Sequence, residues 1–224
     1  MRQTLRYEVL SALKTISQVI PIECLRDAAF HSPSVRQIEQ ADAILVLGED
    51  VTNTAPRIAL ALRQSVRNEA KALAETSRIP SWQDAAVREL AQESLRPLAE
   101  FACGSTPLDD IATTKLNADH QTLIEASNAL SERLAGRSPA YSQQTLGTTM
   151  QSVEATYTAL MSAKKPLVIC GTGAGAALMR CAANIARALS VSRSEVCDLV
   201  LLPKEDNSVG HALLTSKENT LSRA

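Results

Sequence analysis

Residues 41–67, ADAILVLGEDVTNTAPRIALALRQSVR, constrain the fold of this chain more than any other stretch. Ala43 to Leu47 are five consecutive apolar residues, the signature of a strand covered on both faces in a parallel sheet. Gly48 follows, then a polar turn. Ile58, Leu62 and Val66 then recur on one helical face while Arg57, Arg63 and Arg67 take others. Strand, loop and helix in that order put the loop at the carboxyl end of the strand, where open α/β sheets bind their ligands. Residues 166–189 repeat the plan. Such alternation predicts an α/β fold, a mainly parallel, doubly wound, Rossmann-like sheet with flanking helices.

The remaining elements fit between these two units. Residues 4–19 read as a helix with Leu5, Val9, Leu13 and Ile16 on one face, stopped by Pro21. Residues 22–30 are ambiguous, residues 31–34 read as a turn and residues 35–40 as a short helix. Thr52 and Thr54 are candidate N-caps, and Pro56 suits a first helical turn. Ser81 to Asp84 resembles a capping box opening a helix to about Gln92, with Val87 and Leu90 as its apolar positions. A second strand is predicted over residues 98–103. Asn117 or Asp119 caps a helix carrying Leu123, Leu130 and Leu134, with Gly136 as its stop. Residues 136–149 are polar, and are the candidate internal boundary or mobile segment. Met150, Val153, Tyr157 and Leu160 mark another helix. Strands are predicted at 167–170 and 198–202, with a helix over 175–189 between them.

Composition narrows the function classes. The chain has 224 residues and is 45% hydrophobic but only 3% aromatic, so aliphatic side chains must build its core. Lys plus Arg is 23 and Asp plus Glu is 24, a net charge of −1, which gives no electrostatic case for nucleic acid or an anionic membrane. No apolar run approaches the roughly 18 residues of a spanning helix. Arg2, Arg6, Glu8 and Lys14 interrupt any apolar core of a leader. The five cysteines are scattered, without a C-x-x-C pair or a nearby histidine, which favours a reducing compartment. Cys170 and Cys181 read as small core residues.

Three stretches could carry chemistry. Gly171-Thr172-Gly173-Ala174-Gly175-Ala176 fits G-x-G-x-x-A between a strand and a helix. Gly171, Gly173 and Ala176 are thus the candidate cofactor-binding residues, with Glu205 or Asp206 as a late ribose acceptor. The same residues also suit a tight strand-to-helix turn. The loop from Gly48 to Thr54 begins with Glu49-Asp50, which would repel a phosphate, and reads as a capped turn. Asp109-Asp110 reads as a surface turn beside Pro107. His31, His120 and His211 have no Ser or Cys partner in an elbow motif. No catalytic and no metal-ligating residue is assigned.

Several phrases together resemble the G subunit of the respiratory NADH-quinone oxidoreductase, complex I. They are ADAILVLGEDVTNTAPRIALALRQ (41–64), LDDIA (108–112), AKKPLVICGTGAG (163–175), AANIARAL (182–189) and the turn NSVG (207–210). The resemblance covers roughly residues 37–210. It implies a piece of the C-terminal region of that family, which is similar to molybdopterin oxidoreductases. Residues 1–36 would be an N-terminal helical segment and 211–224 a tail. The family's iron–sulfur clusters sit on clustered cysteines that this chain lacks, so neither they nor an electron path carry over. Gly48 matches the family's glycine, but the acidic Glu49-Asp50 makes a poor pterin loop. The implied function is a non-catalytic scaffold without a cofactor of its own, taking part in NADH-to-quinone electron transfer only within the complex. Its partners would be other peripheral-arm subunits, in the cytoplasm and peripheral to the inner membrane. The alternative is a stand-alone NAD- or FAD-binding enzyme using Gly171 to Ala176. A thiamine-type or deacetylase-type doubly wound domain would show similar elements. Self-association through Leu5, Val9, Leu13 and Ile16 is also expected.

Scattered cysteines and isolated histidines predict that the purified chain holds no stoichiometric iron, molybdenum or zinc. Metal analysis checks this, and close to one equivalent of any of the three would contradict it.

Overall fold

The computed structural model of the chain describes Cys24 and residues 30–80, 82–91, 94–138 and 147–203. Its elements in order are β1 (Phe30–His31), α1 (Val35–Ile38), β2 (Ala43–Leu47), α2 (Val51–Thr54), α3 (Pro56–Val66), α4 (Asn68–Thr76) and α5 (Asp84–Ala91). They continue with β3 (Leu98–Ala102), β4 (Thr114–Asn117), α6 (His120–Leu134), α7 (Gly147–Ser162), β5 (Pro166–Gly171), α8 (Gly175–Arg193) and β6 (Cys197–Leu202).

The strands form one six-stranded sheet in the order β1-β6-β5-β2-β3-β4, parallel at every pairing. β2 sits in its middle, with Leu45 opposite Ala99 on β3 and Val168 on β5. Alternation of side chains along the strands separates two cores. Ala43, Leu45 and Leu47 pack with Phe101, Val168 and Cys170 against α6, α7 and α8. Ile44 and Val46 pack with Leu98, Leu167 and Ile169 against α1, α3 and the Leu108–Ile111 turn. Every residue of β2 is therefore buried, as the unbroken apolar run requires.

Local chemistry explains the helix ends. The Asp119 carboxylate accepts from Gln121 N at 3.1 Å and Thr122 N at 3.3 Å, satisfying donors at the start of α6. Gly136, just past the end of α6, has φ +71°, the left-handed conformation of a C-terminal stop. Pro56 takes the first turn of α3. Arg63 on α3 reaches Asp110 at 2.7 Å, tying that helix to the loop after β3.

Several sequence expectations need correction. Two strands were not foreseen. β1 takes up His31, which the sequence places in a turn, and β4 carries a single buried residue, Leu116. Both are sheet edges, where one-sided burial leaves little apolar signal. Helix α4 was also missed, because Ala74 is its only buried residue. Neither Thr52 nor Thr54 is an N-cap. Asp50 caps α2, and α3 starts from Ala55 without a side-chain cap. Leu90 is exposed on α5 rather than part of a buried face. The predicted helix over residues 4–19, Ser81 and the tail from residue 211 lie outside the described residues.

Candidate functional site

The strand order reverses between β2 and β5. From β2 the chain proceeds outward to β3 and β4, then crosses back to β5 on the other side. Open α/β sheets have their crevice at such a switch point, outside the carboxyl ends of the strands. Here the two loops that meet there are residues 48–50 after β2 and residues 172–175 after β5.

The loops touch. Gly48 has φ +61°, a conformation that L side chains rarely adopt. A Cβ on Gly48 would also lie 2.9 Å from both Ala174 Cβ and Leu178 Cδ1, so only a glycine lets the first loop seat against the start of α8. Glu49 then turns its side chain over the second loop. A Cβ built on Gly171 would fall inside the Glu49 carboxylate, and one on Gly173 would be 3.6 Å from Glu49 Oε2. The floor of the crevice is thus occupied by a side chain of this chain.

The predicted cofactor residues sit where the motif placed them. Gly171 ends β5, Gly173 lies in a 3-10 turn over Thr172–Ala174, and Ala176 is the second residue of α8. Gly171 has ordinary extended backbone, φ −94° and ψ 152°. Its requirement for glycine is room for Glu49. The unusual conformation is instead at Gly175, φ +87°, which the sequence motif did not single out. A Cβ there would be 3.9 Å from the ring of His120, so the starts of α6 and α8 lie side by side.

Two carboxyl groups near this edge are held above the usual carboxylate range. For Glu49 the main cause is burial, opposed by a hydrogen bond from Thr54 and reinforced by the Asp50 charge. Asp50 is engaged in capping, accepting from Thr52 N at 3.1 Å and Asn53 Nδ2 at 2.6 Å. Glu100 is the second. It lies in the middle of β3, only 1% exposed. Burial raises its pKa, and the Thr106 hydroxyl, which donates to Oε1, pulls it down. Asp109 and Asp50 push it up again, with Lys115 opposing. Glu100 Oε2 has no hydrogen-bond partner among the described residues. A sequence reader could have found Glu100 as the one charge inside the apolar strand LAEFA.

The other candidates are dispersed. Asp109 bonds the Ser105 hydroxyl, and Asp110 pairs with Arg63, as expected of a surface turn. His31 Nδ1 is 2.7 Å from Asp198 Oδ1 at the opposite, amino-terminal edge of the sheet. Burial pushes the Cys181 thiol up to about 11 and the Cys197 thiol up to about 12, and raises that of Cys170 further. Such thiols stay protonated and are poor nucleophiles. Among the described residues no group of three or more His, Cys, Asp or Glu side chains could hold a metal ion. Glu205, Asp206 and His211 lie outside the described residues.

Two stability effects follow from this geometry. Gly48→Ala should cost about 2–5 kcal/mol, from left-handed backbone strain plus overpacking against Ala174 and Leu178, measured as a lower urea midpoint. Glu100 has a folded pKa raised above its unfolded value near 4.5. Its contribution is therefore fully present below that value and is lost as pH rises through the folded pKa. The stability of the wild type relative to Glu100→Gln should fall over that interval. Equal urea midpoints at every pH would show that the buried carboxyl is not titrating.

No family model matches the chain. It is 40% identical over 205 residues to the NADH-quinone oxidoreductase G subunit of Shewanella oneidensis, covering 91% of this chain and 22% of that one. The G subunit of Pseudomonas fluorescens is 39% identical over 196 residues, 86% of this chain and 21% of the relative. That of Escherichia coli K12 is 34% identical over 197 residues, 87% and 21% respectively. Among solved structures, a chain of the formyltransferase/hydrolase complex of Methylorubrum extorquens superposes with a TM-score of 0.50 at 16% identity, over 89% of this chain and 47% of that one. At that identity the likeness concerns the fold alone. The chain spans about a fifth of the length of the curated relatives it matches. It is homologous to a region of the G subunit of NADH-quinone oxidoreductase.

Proposed function

We propose that this chain is a non-catalytic scaffold domain of the peripheral arm of a respiratory NADH-quinone oxidoreductase, and that it supports NADH-to-quinone electron transfer only as part of that complex. The observation that carries the reading is Glu49. The crevice in which a doubly wound sheet would seat a nucleotide or pterin instead holds this carboxylate, lying over Gly171 and within reach of Gly173. Homology to the G subunit supplies the context. The neighbouring peripheral-arm subunits are the proposed partners, and a cytoplasmic place peripheral to the inner membrane is part of the same proposal. Among the described residues no helix is long and apolar enough to cross a membrane.

A scaffold acts through its surfaces. Its contribution to electron transfer is to hold neighbouring subunits in register. Burial keeps the thiols of Cys170, Cys181 and Cys197 protonated, and at the carboxyl end of the sheet Asp50 is committed to capping α2. The competing reading, a free dinucleotide-binding enzyme, draws on the G-x-G-x-x-A context at residues 171–176, and requires the Glu49 side chain to leave.

The test is assembly. A tagged copy of the chain, produced in its own cells and separated on a native gel, should migrate with the band that stains for NADH dehydrogenase activity. Migration solely as a free small species, in cells where that activity band is intact, would overturn the scaffold reading.

A further inference from the structure

We infer that the loop over residues 103–113 is a pH-operated cover on the sheet, with the buried Glu100 carboxyl as its catch. The cover is closed while that carboxyl holds its proton and opens once the proton is lost. This property belongs to the domain itself, whatever it is assembled with.

A strand paired on both edges cannot move aside. β3 is bonded to β2 on one edge and to β4 on the other, so Glu100 is fixed in the sheet. Its side chain is buried, and Oε2 has no partner among the described residues. Ionisation there leaves a charged oxygen with neither water nor a donor, which costs far more than a neutral group in the same place. Relief comes from moving what stands over it, and that is the loop. The Thr106 hydroxyl meets Oε1 and also accepts from Leu108 N at 3.1 Å. Ile111 N and Ala112 N both donate to Leu108 O at 3.0 Å, so the turn moves as a unit. Leu108 and Ile111 are buried in the core that holds Ile44, Val46 and Ile169. The outer tie, from Arg63 to Asp110 and to the Pro107 carbonyl, is partly exposed and correspondingly weak. At the far end the Thr113 hydroxyl is bonded to both Leu98 N and Leu98 O at 3.1 Å, which makes that end the pivot.

The charges around Glu100 favour the same motion. Burial disfavours its charged form most, and Asp109 in the loop and Asp50 at the start of α2 add to this. The Thr106 hydroxyl and Lys115, opposite Glu100 on β4, oppose them. β2 presents uncharged Val46 at the same register, and Arg63, the α3 cation that reaches the loop, is already engaged. An open loop returns the carboxyl to water and to its ordinary value of 4.5. Opening therefore releases one proton at any pH between that value and the raised one of the closed form, and rising pH drives it.

The experiment is hydrogen exchange on the folded chain over a rising pH series, with rates corrected for the intrinsic pH dependence of exchange. Wild type is compared with Glu100→Gln, which keeps an acceptor for Thr106 but has no proton to lose. Glu100→Met takes its place if the glutamine form does not fold. In wild type the N–H groups of Leu108, Ile111 and Ala112 should lose protection by about tenfold per pH unit across the interval, the slope of a one-proton opening. The variant should show no such slope, and the β2 amides should stay protected in both. Equal pH dependence in the two forms, or none in either, overturns the inference. Loss of β2 protection in step with the loop also overturns it, because the acid then affects the whole domain and not a cover.

Discussion

The structure depends on the need to cover β2 on both faces. A parallel strand in the middle of a sheet cannot reach water on either side, so Ala43 to Leu47 must all be apolar and each face must receive helices. α6, α7 and α8 cover one face, and α1 and α3 the other. The crossovers that deliver those helices also set the strand order. The switch point therefore falls beside β2 as a consequence of how its faces are covered.

That arrangement brings two loops to one place. Gly48 and Gly171 are both glycines for steric reasons, but for different ones. Gly48 needs left-handed backbone and room against Ala174 and Leu178. Gly171 needs room for a carboxylate from the other loop. In a nucleotide-binding relative of this fold the second gap would face a ligand. Here the gap is filled from within, and the crevice becomes a contact between the two halves of the sheet. Burial, the largest cause, raises the pKa of the Glu49 carboxyl in this contact.

Glu100 shows a similar compromise one strand away. A carboxyl group in a fully buried strand must be neutral or well bonded, and Thr106 meets only one of its oxygens. Leu108 N in turn donates to the Thr106 hydroxyl at 3.1 Å, so the loop after β3 is organised around this buried acid. That loop also contains Asp110, which anchors Arg63 of α3. Polar groups at the carboxyl edge of the sheet thus hold its loops in place.

Much of this was legible in the residues. The runs at Ala43 to Leu47 and Pro166 to Gly171 are apolar because both faces are buried, and that pattern survives in one dimension. Turn punctuation at Gly48, Pro56, Asp119 and Gly136 is likewise local chemistry. The parallel α/β fold and the resemblance to the G subunit followed from such stretches. The edge strands β1 and β4 and the lightly buried α4 did not, since partial burial leaves no clear period. Tertiary structure alone decided the state of the crevice. G-T-G-A-G-A reads equally as a phosphate cradle or a tight turn, because the difference lies in what stands over it. Glu49 is 122 residues away along the chain and reaches Gly171 only because β2 and β5 are neighbours.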